Sequence, residues 1–436
     1  MTTPRILVRG GWIVTMDAQN REFPTGDVLI EDGRIAAVAA DLAPAADASV
    51  IDASGTFVLP GLVDAHRHTW QTGLRQSDSE AAIMEYVGRT LIGLGDTVRP
   101  EDVYAGTYLG ALSALNAGIT TVLDWAHAMN SPEHADAAVR ALRDAGVRAV
   151  FGHAWPIGST LDFAATHPVD IRRVREQLLP SDDGLVTLAM AAKGPDYSGI
   201  DNAVKDFALA RELGIPITTH LSTGRPGPDH QGIQQLHRAG LLGPDLNLVH
   251  VNGAEADALK LLADSGTTVS ICPQIELTMP GLGGNVAVRR LRTAGVNPGL
   301  GVDTELESSG DLFTQMRFAL AADRAETPDG EPVLAARAVL RMATVEGARA
   351  VHLGDRTGSI EPGKAADLVL VRTDDIDLVP VTTPAESLVL VAHTGNVDTV
   401  LVAGRVVKRG GRLLADTARA RELALASAAH LRGAGR

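Results

Sequence analysis

Two histidines one residue apart close the segment Gly61-Leu-Val-Asp-Ala-His66-Arg-His68, at the end of the apolar run Thr56 to Val63. Alternate side chains of an extended strand point the same way, so His66 and His68 face one side together and can grip one metal ion. Other short apolar runs also end on a residue capable of chemistry. Asp124 closes the run from Ile119, His153 the run from Val147, Lys193 the run from Val186 and His220 the run from Ile215. His250 closes the run from Leu246, Glu276 follows Thr268 to Pro273, and Asp303 closes the run from Val296. With the His66/His68 pair as the first, these are eight strand ends carrying eight candidate site groups.

Helical patterns separate the runs and stop on glycine just before the next strand. Ala135 to Gly146, Ala203 to Gly214, Ala254 to Gly266 and Ala287 to Gly295 are examples, glycine ending each helix because it tolerates positive φ. The strands read as continuous apolar segments, as expected of a parallel sheet buried on both faces. Eight strand–helix units closed on themselves make a (β/α)8 TIM barrel, whose site is assembled at the carboxyl ends of its strands. The polar residues above occupy those ends.

Such a barrel takes up most of a 436-residue chain and leaves text at both termini. Segments 5–14 and 27–38 alternate around glycine turns, the second with the hairpin signal Asp32-Gly33, and segments 366–371 and 397–407 do the same near the other end. Neither group could bury a face alone. Packed together they predict a small composite β-sandwich built from both termini, with the barrel inserted between them. The expected division is 1–58 for the first part of the sandwich, 59–354 for the barrel, and 355–436 for the second part with an Ala-rich terminal helix from Asp416.

Acidic residues outnumber basic ones, 53 against 39, and the basic side is almost all arginine. No basic patch interleaved with aromatics is present, which excludes nucleic acid as the expected partner. Cys272 is the sole cysteine, so an intrachain disulfide is excluded and a reducing compartment suits the chain. Met1 to Met16 has no signal-like apolar core, and no stretch is long enough to span a membrane. A cytoplasmic protein without a membrane partner is the expectation.

The order of His66-Arg-His68, His220, His250 and Gly301-Val-Asp303 resembles the amidohydrolase superfamily. The flanking text is similar to its ATZ/TRZ and nucleobase-deaminase-like branch, in Leu59-Pro-Gly-Leu-Val-Asp-Ala-His, Gly118-Ile-Thr-Thr-Val-Leu-Asp, Val269-Ser-Ile-Cys-Pro273 and 358–369. The resemblance runs nearly the full length and implies the terminal sandwich as well. It implies that His66, His68, His220 and Asp303 hold a metal, and that His250 hydrogen-bonds the attacking water or binds a second metal. Imidazole and carboxylate ligands suit one divalent ion, zinc or alternatively iron, with an open position for water. Such an ion lowers the pKa of its water from about 15.7 toward 7, and Asp303 could take the proton. The family also implies a small-molecule substrate and a homo-oligomer, a dimer.

The chain departs from that family in two places. Its deaminases usually carry Glu three residues after the third histidine, where this chain has Thr223, and commonly Asn where it has Glu276. Glu276 is therefore expected to supply the missing general acid or base from across the pocket, or else to bind a substrate cation. Lys193 ends the fourth strand, where other amidohydrolases place a carboxylated lysine bridging two metals; here it either fills that binuclear pattern or stays a cation that binds substrate. The surrounding text favours the one-metal arrangement. Trp70 and Gln71 follow the metal motif and Arg75 lies one turn beyond, so this segment could stack on and hydrogen-bond a planar substrate. Asp124, His127 and His153 could read the substrate or orient ligands.

These residues imply a metal-dependent hydrolase that attacks an electrophilic carbon of a small cyclic nitrogen compound with metal-bound hydroxide. Deamination, ring amide hydrolysis and other carbon–nitrogen cleavage all fit. The alternatives are a metal-dependent lyase on the same scaffold, a decarboxylase or an eliminating enzyme, and a non-catalytic binding barrel, which the complete ligand set argues against.

Overall fold

The computed structural model describes residues 5–43 and 47–434. The amino-terminal strands are β1 (Ile6–Val14), β2 (Glu22–Glu31), β3 (Arg34–Ala39), β4 (Ser49–Asp52) and β5 (Thr56–Pro60). The barrel follows as β6 (Leu62–Arg67), β7 (Ile119–Ala126), β8 (Arg148–His153), β9 (Val186–Ala192), β10 (Ile217–Leu221), β11 (Leu246–His250), β12 (Thr268–Ile271) and β13 (Gly299–Leu300). The chain ends with β14 (Leu368–Arg372), β15 (Val397–Val402), β16 (Arg405–Arg409), β17 (Arg412–Leu413) and the helix Thr417–Ala434.

Neighbouring barrel strands pair in parallel and in chain order from β6 to β13. The sheet closes at its carboxyl end, where His68 N donates to Asp303 O at 2.7 Å and Asp303 N to His66 O at 2.9 Å. The closing bonds therefore run through the expected metal-binding residues. Gly301 lets the strands meet: a Cβ there would lie 2.7 Å from His66 O and 2.9 Å from His66 Cβ. The helices Pro132–Ala145, Ala256–Ser265 and Val288–Ala294 end on Gly146, Gly266 and Gly295 in the left-handed region, as the glycine punctuation predicts.

Both termini meet in one nine-stranded mixed sheet, in the order β17-β16-β15-β14-β5-β1-β2-β3, with β4 also on β1. The expected sandwich is thus a single connected sheet, because β1 splits its free edge between β4 at Ile6 to Arg9 and β5 at Trp12 and Ile13. Its core draws on both ends of the chain, with Ile6, Val8, Val28, Ile35, Val58, Leu368 and Leu401 buried together. The chain passes from this sheet into the barrel at Gly61. Buried Arg148 at the base of β8 pairs with Asp367 at 2.6 Å, and Asp367 also accepts from Ala403 N, so the aspartate of the 358–369 motif ties sheet to barrel.

Candidate metal and active site

Side chains of the barrel strands fall into two sets. Val63, Ala65, Leu123, Trp125, Val150, Ala189, Ala191 and Val249 cluster together, while Leu62, Val122, Phe151, Leu188, Leu248 and Ile271 pack with the helices. Strict alternation from Val63 and Ala65 would send His66 and His68 toward the helices. A register shift between Asp64 and Arg67 reverses that parity and turns both histidines inward, next to Trp125. His220 arrives from the end of β10, with its Nε2 3.1 Å from His66 Nε2. His250 and Asp303 have φ of 73° and 69°, and this left-handed backbone brings their side chains to the same point.

One ligand atom each from His66, His68 and His220 lies within 4.8 Å of the others, and the same holds for His66, His250 and Asp303. Asp303 Oδ1 is 3.6 Å from His66 Nε2 and 3.3 Å from His68 Nε2, and Oδ2 is 3.6 Å from His250 Nε2. His68 Nδ1 lies 3.1 Å from Trp125 O, which accepts its proton and leaves Nε2 with a free lone pair. Burial holds the rings of His66, His68 and His220 below the ordinary imidazole value, His68 at about 4, so they are neutral as metal ligation requires. Burial opposes ionisation of Asp303, but the facing histidines outweigh it and hold the carboxylate below the usual range. Neutral imidazoles around one ionised carboxylate are a donor set that fits zinc.

Behind these ligands lies a buried ionic chain that the sequence reading missed. Arg67, between the two histidines, donates to Asp64 Oδ2 at 3.0 Å and to Glu305; Asp64 Oδ1 accepts from Val302 N at 3.0 Å; Glu305 also accepts from Arg75 Nε at 2.6 Å. The chain fixes β6 to the segment after β13. The signal available was the pair of opposite charges, Asp64 and Arg67, inside one strand, since charges must find partners when buried.

Several expected site residues serve other contacts. Trp70 is buried and its Nε1 donates to His127 Nδ1 at 3.1 Å, while Gln71 Nε2 donates to Tyr86 Oη at 2.7 Å; His127 and Tyr86, rather than Trp70 and Gln71, face the cavity. Arg75 is taken up by Glu305. Asp124 accepts from Thr69 N at 3.2 Å. His153 shares the parity of Ala149 and Phe151, so it turns toward the helices and meets His167 at 3.1 Å. Lys193 leaves the strand as the chain turns at Gly194, φ 68°. Its Nζ donates to Ser159 O at 2.6 Å and Asp162 O at 2.7 Å, and lies 5.4 Å from the centre of the Trp155 ring. The ammonium is held by the loop after β8.

Glu276 lies behind His250 rather than in the cavity. Its Oε1 accepts from His250 Nδ1 at 3.0 Å and from Cys272 N at 2.7 Å, and it is fully buried on the short helix Pro273–Thr278. Burial works against protonation of His250, but the Glu276 hydrogen bond and the Asp303 charge outweigh it and raise the ring's pKa. His250, Cys272 and Glu276 also lie within 4.8 Å of one another, but burial pushes the Cys272 thiol well up, so no thiolate is on offer.

A cavity of about 100 Å³ opens over the ligands, bounded by His68, His220, His250 and Asp303 at its floor. Its walls include Ile83, Tyr86, Leu91, His127, Trp155, Tyr197, Thr223, Met279 and Leu282. Ile83, Val87 and Leu91 lie at i, i+4 and i+8 on a short α-helix, Ile83–Tyr86, continued as the π-helix Val87–Ile92, a periodic signal that the sequence reading passed over; Met279 and Leu282 follow the helix Pro273–Thr278.

Residues 57–407 match the model of the amidohydrolase family. The chain belongs to that family. It is 32% identical to the 5-methylthioadenosine/S-adenosylhomocysteine deaminase of Symbiobacterium thermophilum over 416 residues, 92% of this chain and 93% of that protein. Among solved structures it is similar to an adenosine deaminase from Xanthomonas campestris with bound zinc, at a TM-score of 0.86 and 26% identity over 98% of both chains. It is also similar to the atrazine chlorohydrolase TrzN from Arthrobacter aurescens TC1 complexed with zinc, at a TM-score of 0.85 and 25% identity over 97% of this chain and 100% of that one. The expected superfamily, branch, barrel with added β-domain and metal-dependent hydrolase class are borne out. No helix among the described residues is long and apolar enough to cross a membrane.

Proposed function

We propose that this amidohydrolase is a mononuclear zinc enzyme that replaces an amino or comparable leaving group on a small nitrogen heterocycle by hydroxyl. Atoms balance as ring C–NH2 plus water giving ring C–OH and ammonia. His66, His68, His220 and Asp303 would hold the ion; their convergence at the floor of one cavity is the observation that carries the reading. When bound, the ion supplies Lewis acidity and brings hydroxide within reach at neutral pH. The zinc-bound relatives named as deaminase and chlorohydrolase support both metal and reaction type.

His250 is the protein group placed to move protons. It faces the cavity through Nε2, while Glu276 fixes its other nitrogen and raises its proton affinity. Asp303 can accept the proton of the attacking water, and His250 can deliver one to the departing nitrogen. Thr223 lines the same cavity, and its hydroxyl does not ionise near neutral pH. Glu276 thus replaces the missing carboxylate at one remove, as a positioning residue instead of the proton carrier expected from the sequence. Lys193, bound to two loop carbonyls, supports one metal over a bridged pair.

Metal analysis of the purified protein, with turnover of aminated heterocycles in oxygen-18 water, tests this function. One zinc per chain and label in the ring product are expected. Two metals per chain would overturn the mononuclear reading, and an unlabelled product would indicate a lyase.

A further inference from the structure

Segment 280–285 is a short strap at the cavity wall with a single buried side chain. Pro280, Gly281 and Gly284 are exposed, Gly283 and Asn285 are half-buried, and Leu282 alone is buried, where it lines the cavity. Gly281 and Gly283 hold φ of 98° and 101°, a region open chiefly to glycine, so the backbone on either side of Leu282 can turn with little steric resistance. Exposed backbone with few apolar contacts is what opens locally at small cost.

Side-chain amides hold the strap shut. Buried Asn252, two residues past His250, engages its whole amide: Nδ2 donates to Leu282 O at 2.6 Å and Asn285 O at 3.1 Å, and Oδ1 accepts from Gly224 N at 3.0 Å. Asn285 Nδ2 donates to Gly224 O at 3.1 Å. Arg290 donates to Asn252 O and Asn285 Oδ1, both at 2.7 Å, and to Ala254 O at 2.5 Å. These bonds tie the strap to the loops after β10 and β11. A Cβ on Gly283 would lie 2.3 Å from Gly224 O, so the two backbones touch. On the other side Ile83 N donates to Pro280 O at 2.9 Å.

The space beneath measures about 100 Å³, against the roughly 150 Å³ of an apolar cavity that takes up benzene. A substituted ring therefore enters only when a wall moves. Tyr86, His127 and Trp155 are each fixed by a side-chain hydrogen bond from or to a neighbour, whereas Leu282 goes where its strap goes.

We propose that segment 280–285 is the gate of the cavity, with Leu282 as its plug, and that Asn252, Asn285 and Arg290 are positioning residues that latch it over bound substrate. The proposal rests on the hydrolytic reading only in taking this cavity as the place where substrate enters.

Entry is measured on the cobalt-loaded full chain from the visible spectrum of the metal, with azide and benzimidazole as probes. Azide, a three-atom anion, fits the closed cavity, and benzimidazole, larger than benzene, needs the gate. Asn285→Ala removes two bonds of the latch and should speed benzimidazole entry about tenfold while leaving azide within about twofold. Val28→Ala, in the remote core of the nine-stranded sheet, should change neither rate. In the metal-free chain, thermolysin cleavage of the Gly281–Leu282 bond should likewise quicken about tenfold in Asn285→Ala and stay unchanged in Val28→Ala. Equal benzimidazole rates in parent and Asn285→Ala, no benzimidazole entry in either, an acceleration shared by azide, or one matched by Val28→Ala would overturn the gate. A cobalt spectrum unmoved by azide would instead sink the metal reading, and the cleavage rates would then decide the gate alone.

Discussion

Two sides of the barrel mouth use similar residues for opposite purposes. On the side of β6, β10, β11 and β13, His66, His68, His220, His250 and Asp303 converge, with nearest ligand atoms 3.1 to 3.6 Å apart. On the side of β8 and β9, His153 and Lys193 end strands of the same apolar texture, yet they bind His167 and the carbonyls of Ser159 and Asp162. All of these residues are buried except the half-buried His220, so burial does not distinguish the two sides. The difference is direction: a register shift turns His66 and His68 inward, left-handed backbone turns His250 and Asp303, and plain alternation opposite Ile217 and Leu221 turns His220, whereas the parity of β8 or a turn after β9 sends the other set into loops. A polar residue at a barrel strand end is therefore either a site group or an anchor for the loop that roofs the site, and backbone geometry decides which.

The widest separation between the sides should appear on deleting ligands. His66→Ala or His220→Ala is expected to lose the metal and to lower turnover by more than the roughly 10- to 100-fold that a lost supporting contact costs. Full zinc occupancy in both variants, measured by elemental analysis, would break the comparison at its root.

Glu276→Gln should keep the metal and lower kcat by about a hundredfold. Because the Glu276 hydrogen bond raises the His250 pKa, losing the carboxylate charge lowers it, and the pH–rate limb belonging to His250 should move to lower pH. A reduced kcat with an unmoved limb would make Glu276 purely structural. Thr223→Glu is expected not to rescue the variant.

Lys193→Met sharpens the other side. The metal should stay, and KM should rise about threefold to tenfold with smaller loss of kcat, since the loop carrying Trp155 and Thr160 loses its anchor. Limited proteolysis should reach segment 157–167 sooner, and Lys193→Arg should restore part of the KM. Loss of zinc on Lys193→Met would return this lysine to the metal site.

The smallest effect concerns a histidine remote from the mouth. Burial holds His352 at about 4 against an ordinary value of 6.5. The unfolded chain then binds the proton more readily, so this group's contribution is intact above pH 6.5 and is lost as pH falls through 4. The loss by pH 4.5 amounts to about 2.5 kcal/mol. Urea denaturation of the zinc-loaded protein at pH 7 and pH 4.5 should show a smaller drop for His352→Asn than for the parent; equal drops would remove His352 from the acid response.

Much of the architecture is legible in the residues because the local rules act alone there. Apolar runs separated by glycine-capped helices specify eight barrel strands, and Gly146, Gly266 and Gly295 end their helices in the expected conformation. The ligand order from His66 to Asp303 is legible too, since type and spacing are sequence properties. The Trp70 and Gln71 expectation failed by one contact each: His127 and Tyr86, their hydrogen-bond partners, are the groups that face the cavity.

By itself, then, the sequence determined which residues end the strands, that imidazole and carboxylate would be available, and that no disulfide could hold the chain, because each follows from identity and periodicity. Only the tertiary structure decided which strand ends point inward. One register shift in β6 and the positive φ of His250 and Asp303 bring four of the five groups to His220, and these depend on how strands close around the barrel. It also decided that Glu276 stands behind His250 and that Lys193 holds a loop, because both outcomes rest on segments distant in sequence meeting in space, which no local pattern encodes.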